Sequence, residues 1–177
     1  MSGLDHPLSH ARKTAAQVID DLVEELAAIL RRQGKSLSAM ESCTGGMLAS
    51  VLTSVPGCGD FFRGAIVAYA SDVKVDFGVD PHTLETHGVV SSVTARAMAR
   101  AARLGVHADI GIGITGVAGP DPQDGVPVGR VHIALDEDQR SGDVRTHDFE
   151  GNLEQIKQQA VAAALQFLRA SLEEREL

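Results

Sequence analysis

Two short apolar runs, GAIVAY (64–69) and IGIGIT (110–115), sit between stretches whose apolar residues recur at helical spacing. Runs of this length bounded by turn residues read as buried strands, and strands that alternate with helices belong to a layered α/β domain. From Thr14 to Gln33, the residues Val18, Ile19, Leu22, Val23, Leu26, Ile29 and Leu30 share a helical face, and Gly34 is a fitting stop. A strand over SLSAM (36–40) runs into ESCTGG, after which MLASVLTSV reads as a helix. SDVKVDF (71–77) forms a helical turn, and GVDPHTLETHG a loop with one short turn of helix. SVTARAMARAARL (92–104) has high helix propensity, with Ser91 or Ser92 as its cap. RVHIALDE and VRTHDFEG, joined by DQRSGD, predict an antiparallel hairpin. A closing helix from Leu153 to Glu173 places Ile156, Ala160, Val161, Ala164, Leu165 and Leu168 on one face. This order predicts a single α/β domain whose sheet is partly parallel with an antiparallel edge. Residues 1–9 are polar and aperiodic and read as a flexible tail, which leaves 10–177 for the domain.

Only 3% of the 177 residues are aromatic, with one Tyr and no Trp, so the core must be aliphatic and a platform for stacking bases is excluded. A formal charge of −8 argues against broad attraction to nucleic acid or to an anionic membrane. No stretch approaches the roughly 20 apolar residues of a membrane span, and the N-terminus MSGLDHPLSHARK lacks the pattern of a secretory signal, so a cytoplasmic protein is expected. Cys43 and Cys58 cannot build a disulfide framework or a Cys-rich zinc site, and the seven His residues form no H-x-x-x-H pair, so no metal is expected.

Three segments could carry chemistry. Glu41-Ser42-Cys43-Thr44-Gly45-Gly46 lies between a strand and a helix, where the first N–H groups of the helix favour an oxyanion or a phosphate. Gly45 and Gly46 would let a ligand approach the main chain; equally, the segment could be no more than a helix cap and a turn. Tyr69-Ala70-Ser71-Asp72-Val73-Lys74 follows the GAIVAY strand and offers a lysine that becomes a base if burial lowers its pKa, or that is simply solvated. Thr115-Gly116-Val117-Ala118-Gly119-Pro120 ends the IGIGIT strand with a hydroxyl and flexible backbone, and reads either as a phosphate- or ribose-holding loop or as a surface connection. Cys43 competes with Ser42 as nucleophile on chemical grounds. His132 and His147 fall in the hairpin strands and read as ordinary strand-face residues.

In their fixed order, ESCTGGMLAS, VPGCGDFFRGAIVAYASDVK, HGVVSSVTARAMA, DIGIGITGVAGP and PVGRVHIAL resemble the C-terminal domain of the competence- and damage-inducible protein CinA, over about residues 14–170. That resemblance implies a three-layer α/β/α domain around a mixed sheet, commonly a homo-oligomer. It implies an amidohydrolase of pyridine-nucleotide salvage that takes a small-molecule nucleotide, nicotinamide mononucleotide, to nicotinate mononucleotide and ammonia without metal or organic cofactor. It casts Ser42 as nucleophile, Lys74 as its base and Tyr69 as an assistant. Thr44, Gly45, Gly46, Thr115, Gly116 and Gly119 are the expected substrate-binding residues.

The sequence departs from the family pattern in places. YASDVK stands where Y-S-N-E-A-K is usual, and Leu153 stands where an Arg is expected after the F-x-G turn, on the side of the substrate phosphate. Arg63 and Arg130 are the candidates to compensate. A catalytically weak domain that binds a nucleotide or a protein is the alternative this substitution raises.

Overall fold

The computed structural model describes residues 14–138 and 142–174. The proposed tail at 1–9 and the middle of the hairpin turn lie outside the described residues. Helix α1 (Ala15–Gln33) begins where Thr14 and Gln17 cap each other reciprocally and ends at Gly34 in the left-handed region. Strand β1 (Leu37–Glu41), helix α2 (Met47–Thr53), a 3₁₀ turn (Cys58–Asp60) and strand β2 (Phe62–Val67) follow. Helices α3 (Ser71–Asp76), α4 (Pro81–His87) and α5 (Ser92–Gly105) then lead to β3 (Ile110–Gly116), the hairpin β4 (Arg130–Glu137) and β5 (Val144–Asp148), and the last helix α6 (Leu153–Glu173).

The five strands are ordered β2-β1-β3-β4-β5. The first three run parallel, and β4 and β5 are added antiparallel, which is the mixed sheet with an antiparallel edge that the sequence predicts. Helices cover both faces. Ala39 and Met40, consecutive on β1, point to opposite sides, as strand geometry requires. Ala39 joins the large aliphatic cluster with α1, α2 and α6, whereas Met40 packs with Met98, Ala101 and Ala102 of α5. The domain is therefore a three-layer α/β/α sandwich.

Two elements differ from expectation. Strand β2 begins and ends two residues earlier than GAIVAY. Ala68 N–H still donates to the Glu41 carbonyl, but the carbonyls of Ala68 and Tyr69 turn away from the sheet toward a side chain described below. Helix α4 is nearly two turns rather than one, because Asp80 caps the His82 amide and Pro81 is set for the first helical position.

On β3, Gly111 and Gly113 face α5. A Cβ on Gly111 would stand 2.0 Å from the Ala99 carbonyl oxygen, and one on Gly113 2.1 Å from that of Ala95. Helix and strand backbones are in direct contact there, and no side-chain adjustment can relieve an added methyl. Gly113→Ala is expected to lower stability by about 3 kcal/mol or more, read as a shift of the urea midpoint at constant slope.

Parallel strands end at one edge of a sheet. Glu41, Val67 and Gly116 close β1, β2 and β3 at that edge, so the three chemistry-bearing segments leave the sheet side by side, where ligands of open α/β sheets bind.

Candidate active site

Helix α2 has no capping side chain at Gly46, its N-cap, and its amides are satisfied instead from the strand before it. Glu41, fully buried, accepts from Thr44 Oγ1 (2.7 Å) and the amides of Gly46 (3.1 Å) and Leu48 (3.1 Å) on Oε2, and from the Ala49 amide (2.8 Å) on Oε1. The chain folds back on itself through Gly45 (φ +60°) and Gly46 (φ +93°), a left-handed pair that side chains resist. Gly45 N–H donates to the Ser42 carbonyl at 3.0 Å. The position at the helix start where a ligand anion was anticipated is thus filled by the protein's own carboxylate. The amides of Cys43 and Thr44 donate to no backbone carbonyl among the described residues and lie beside Ser42, that of Cys43 against its own sulfur.

Ser42 is held by its amide, which donates to the Ile114 carbonyl (3.0 Å), and its hydroxyl meets Lys74. Lys74, on α3, is buried, with 2% of its surface exposed. Its Nζ lies 3.1 Å from Ser42 Oγ, 2.7 Å from the Ala68 carbonyl oxygen and 3.0 Å from that of Tyr69. An ammonium has three donors, and all three are accounted for. An amine has two donors and one lone pair: with the two carbonyls taking the donors, the lone pair is directed at the serine hydroxyl. Burial lowers the Lys74 pKa from its ordinary value, which favours that amine, while the neighbouring Cys43 works in the opposite sense.

Burial pushes the Cys43 thiol up to about 12, and the Glu41 charge adds to the effect against the pull of its own amide and of Lys74 and Lys157. The Cys43 thiol is therefore protonated at neutral pH, and it is the Ser42 hydroxyl that Lys74 Nζ meets.

A cavity of about 120 Å³ opens over this pair. Ser42, Tyr69, Lys74, Thr115, Gly116 and Gly119, all anticipated from sequence, line it, whereas Thr44, Gly45 and Gly46 do not. Thr44 is fully buried and serves Glu41. Tyr69 presents an exposed ring at the mouth and contributes its carbonyl to Lys74. Thr115 Oγ1 donates to the Val89 carbonyl at 2.8 Å, which fastens the segment before α5 to the end of β3. Val89, Val90, Asp121 and Gln123 also line it and were not among the expected site residues, since none of them has a side chain whose chemistry its local sequence marks out. Glu41 stands in the first candidate segment without a role of its own; its signal is an acidic residue at a strand end, six positions before a helix start with no Ser, Thr, Asp or Asn cap.

Arg63 lies at the opposite edge of the sheet and donates to the Val106 carbonyl at 2.9 Å. Arg130 is at the site edge but ion-paired with Asp148. Leu153 is exposed at the first position of α6. His132 lies 2.9 Å from Thr146 Oγ1 and His147 stacks on Phe149, both within the hairpin. Among the described residues no three His, Cys, Asp or Glu side chains converge to hold a metal ion, and no helix is long and apolar enough to cross a membrane.

Residues 19–172 match the model of the CinA C-terminal domain. The chain belongs to that family. A CinA-like protein of Gloeobacter violaceus is 49% identical over 118 residues, covering 66% of this chain and 28% of that protein. One from Frankia casuarinae is 43% identical over 155 residues, covering 86% and 35%. The chain thus spans about a third of the length of these curated CinA relatives. The crystal structure of a competence-damaged protein (CinA) superfamily member from Enterobacter cloacae superposes with a TM-score of 0.86 at 30% identity, over 96% of this chain and 99% of that one. The three-layer fold is therefore that of solved CinA-superfamily domains.

Proposed function

We propose that this CinA domain is a Ser–Lys amidohydrolase that converts nicotinamide mononucleotide to nicotinate mononucleotide and ammonia. The observation that carries the reading is the buried Lys74 amine, 3.1 Å from Ser42 Oγ with its other two positions fixed by carbonyls. In this mechanism Lys74 takes the Ser42 proton as Oγ attacks the carboxamide carbon. The developing oxyanion is met by the amides of Cys43 and Thr44, donors that need no reorganisation. Lys74 then passes its proton to the amide nitrogen, the C–N bond breaks, and ammonia leaves an acyl-serine. Water, deprotonated by the same amine, releases the acid and restores Ser42. The cavity is smaller than the roughly 300 Å³ of a whole-ligand pocket, which suits entry of the carboxamide end with the remainder of the nucleotide outside.

In this reading the partner is a small-molecule nucleotide, and the domain serves pyridine-nucleotide salvage in the cytoplasm as a homo-oligomer. A second reading, a domain that binds a nucleotide or protein without turnover, is favoured by one observation: Leu153 is apolar and exposed where a cation was expected. Ammonia release from nicotinamide mononucleotide separates the two. The protein is expected to release it, and Ser42→Ala to reduce the rate by about 10⁴-fold or more. Turnover that survives Ser42→Ala would exclude the serine nucleophile, and a folded protein that releases nothing would favour the binding domain.

A further inference from the structure

As a base Lys74 is the neutral amine, and the Cys43 thiol beside it is protonated. Of the described residues that line the cavity, Asp121 is then the only charged side chain, so the working site has a negative wall. The ion pairs among the described residues are made by other carboxylates, which leaves that of Asp121 uncompensated. The exposed ring of Tyr69 stands at the same mouth, and its π face also favours a cation.

The loop that presents Asp121 is closed on both sides of it. At its base the Gly129 amide donates to the Val117 carbonyl at 2.7 Å, and Ala118 and Val128 next to that neck pack on the main aliphatic cluster. Beyond Asp121 the chain doubles back on itself. The Gln123 amide donates to the Val126 carbonyl at 3.1 Å and the Val126 amide to the Gln123 carbonyl at 2.8 Å, across Asp124 (φ +49°) and Gly125 (φ +77°). Two left-handed residues in succession make the tight turn that Asp-Gly favours. Asp121 therefore sits on a short arm between two hydrogen-bonded closures.

The substrate of the amidohydrolase reading has a cation where this wall needs one. In nicotinamide mononucleotide the ring nitrogen bears the ribose and a formal positive charge, and it lies meta to the carboxamide. A carboxamide delivered to Ser42 brings the positive ring into the mouth with it, while the phosphate stays at the far end of the nucleotide. We propose that Asp121 is a specificity residue of this site: its carboxylate is the counter-charge of the substrate ring, and selects N-substituted pyridinium carboxamides over neutral ones. This rests on the amidohydrolase reading above.

The test compares two ligands that share carboxamide, ribose and phosphate and differ in ring charge: nicotinamide mononucleotide and its reduced, dihydropyridine form. Calorimetric binding of each is measured on Ser42→Ala, which holds either without turnover, and on the same protein carrying Asp121→Asn or Asp121→Glu. Asp121→Asn is expected to weaken binding of the oxidised ligand by about fivefold, the scale of a solvent-exposed ion pair, and to leave the reduced ligand nearly unchanged. Asp121→Glu, which keeps the charge, is expected to retain the preference for the oxidised ring. Equal weakening of both ligands, unchanged binding of the oxidised ligand, or no binding of it to Ser42→Ala would each overturn the assignment. Ammonia release by the unmodified protein is read separately. Its absence ends the amidohydrolase reading, while a preference for the oxidised ring that is lost in Asp121→Asn would still uphold the role of Asp121.

Discussion

Lys74→Met is expected to lower ammonia release by about 10³- to 10⁴-fold, the upper range for loss of a general base. Methionine fills a similar volume, so the substitution removes the amine without opening a void. Relief from burying an amine offsets the bonds lost to the Ala68 and Tyr69 carbonyls, and stability is expected to change by about 2 kcal/mol or less. Substrate affinity should change little, because Lys74 acts on Ser42 and not on the nucleotide. The pH profile carries the sharper signature. The base must be neutral, so kcat/KM should rise with pH through a pKa below the lysine value of about 10.4, and Lys74→Met should lose that limb. Folding obeys the same titration. With the folded pKa lowered, the unfolded chain binds more protons between the two pKa values, so stability rises with pH across that window. Steady-state rates and urea unfolding at several pH values check both statements, and Lys74→Met protein that turns over at an undiminished rate would refute the base.

Glu41→Ala should be the most damaging substitution to the fold at the site. It leaves one hydroxyl and three amides without their acceptor in a fully buried position. Removing one partner of a buried charge-assisted network costs about 4 kcal/mol, a large share of the 5–15 kcal/mol that holds a typical domain together. Glu41→Gln is expected to be milder for the fold. Its amide oxygen can keep the three bonds to Oε2, but its NH₂ would face the Ala49 amide, donor against donor. The Ser42 loop should then shift, and kcat should fall in protein that still unfolds cooperatively. Denaturant midpoints for both variants decide this; a Glu41→Ala midpoint near that of the unmodified protein would show that water replaces the carboxylate.

These two residues also mark how far the sequence can be read. Helices α1, α5 and α6 were legible nearly to the residue, since Thr14, Gly34, Ser91 and the apolar periodicity of Leu153–Glu173 are local signals. The partly parallel sheet with its antiparallel edge followed from the alternation of strands and helices, whereas the order β2-β1-β3-β4-β5 carries no local signal. The end of β2 was not legible, because it is set by Lys74 reaching back to two carbonyls across a turn. The pairing of Ser42 with Lys74, 32 positions apart, came from resemblance to the CinA family and not from spacing. The role of Glu41 was hidden for a related reason. Its four donors lie three to eight residues ahead and converge only after the chain has reversed through Gly45 and Gly46, so glycines that read as room for a ligand serve that reversal.

The backbone contact of β3 with α5 at Gly111 and Gly113 divides the site into a fixed part and a variable part. Helix α5 and the strand that carries Thr115 cannot slide past one another, and Thr115 ties the Val89 segment to the same block. The opposite wall comes from residues 117–129, an excursion pinned at its base where the Gly129 amide donates to the Val117 carbonyl at 2.7 Å. Asp121 and Gln123 belong to it, whereas Ser42 and Lys74 do not. A loop held only at its neck can lengthen, shorten or exchange residues without displacing the catalytic pair. Divergence toward other carboxamides, in nature or in the laboratory, would therefore be concentrated in this one loop.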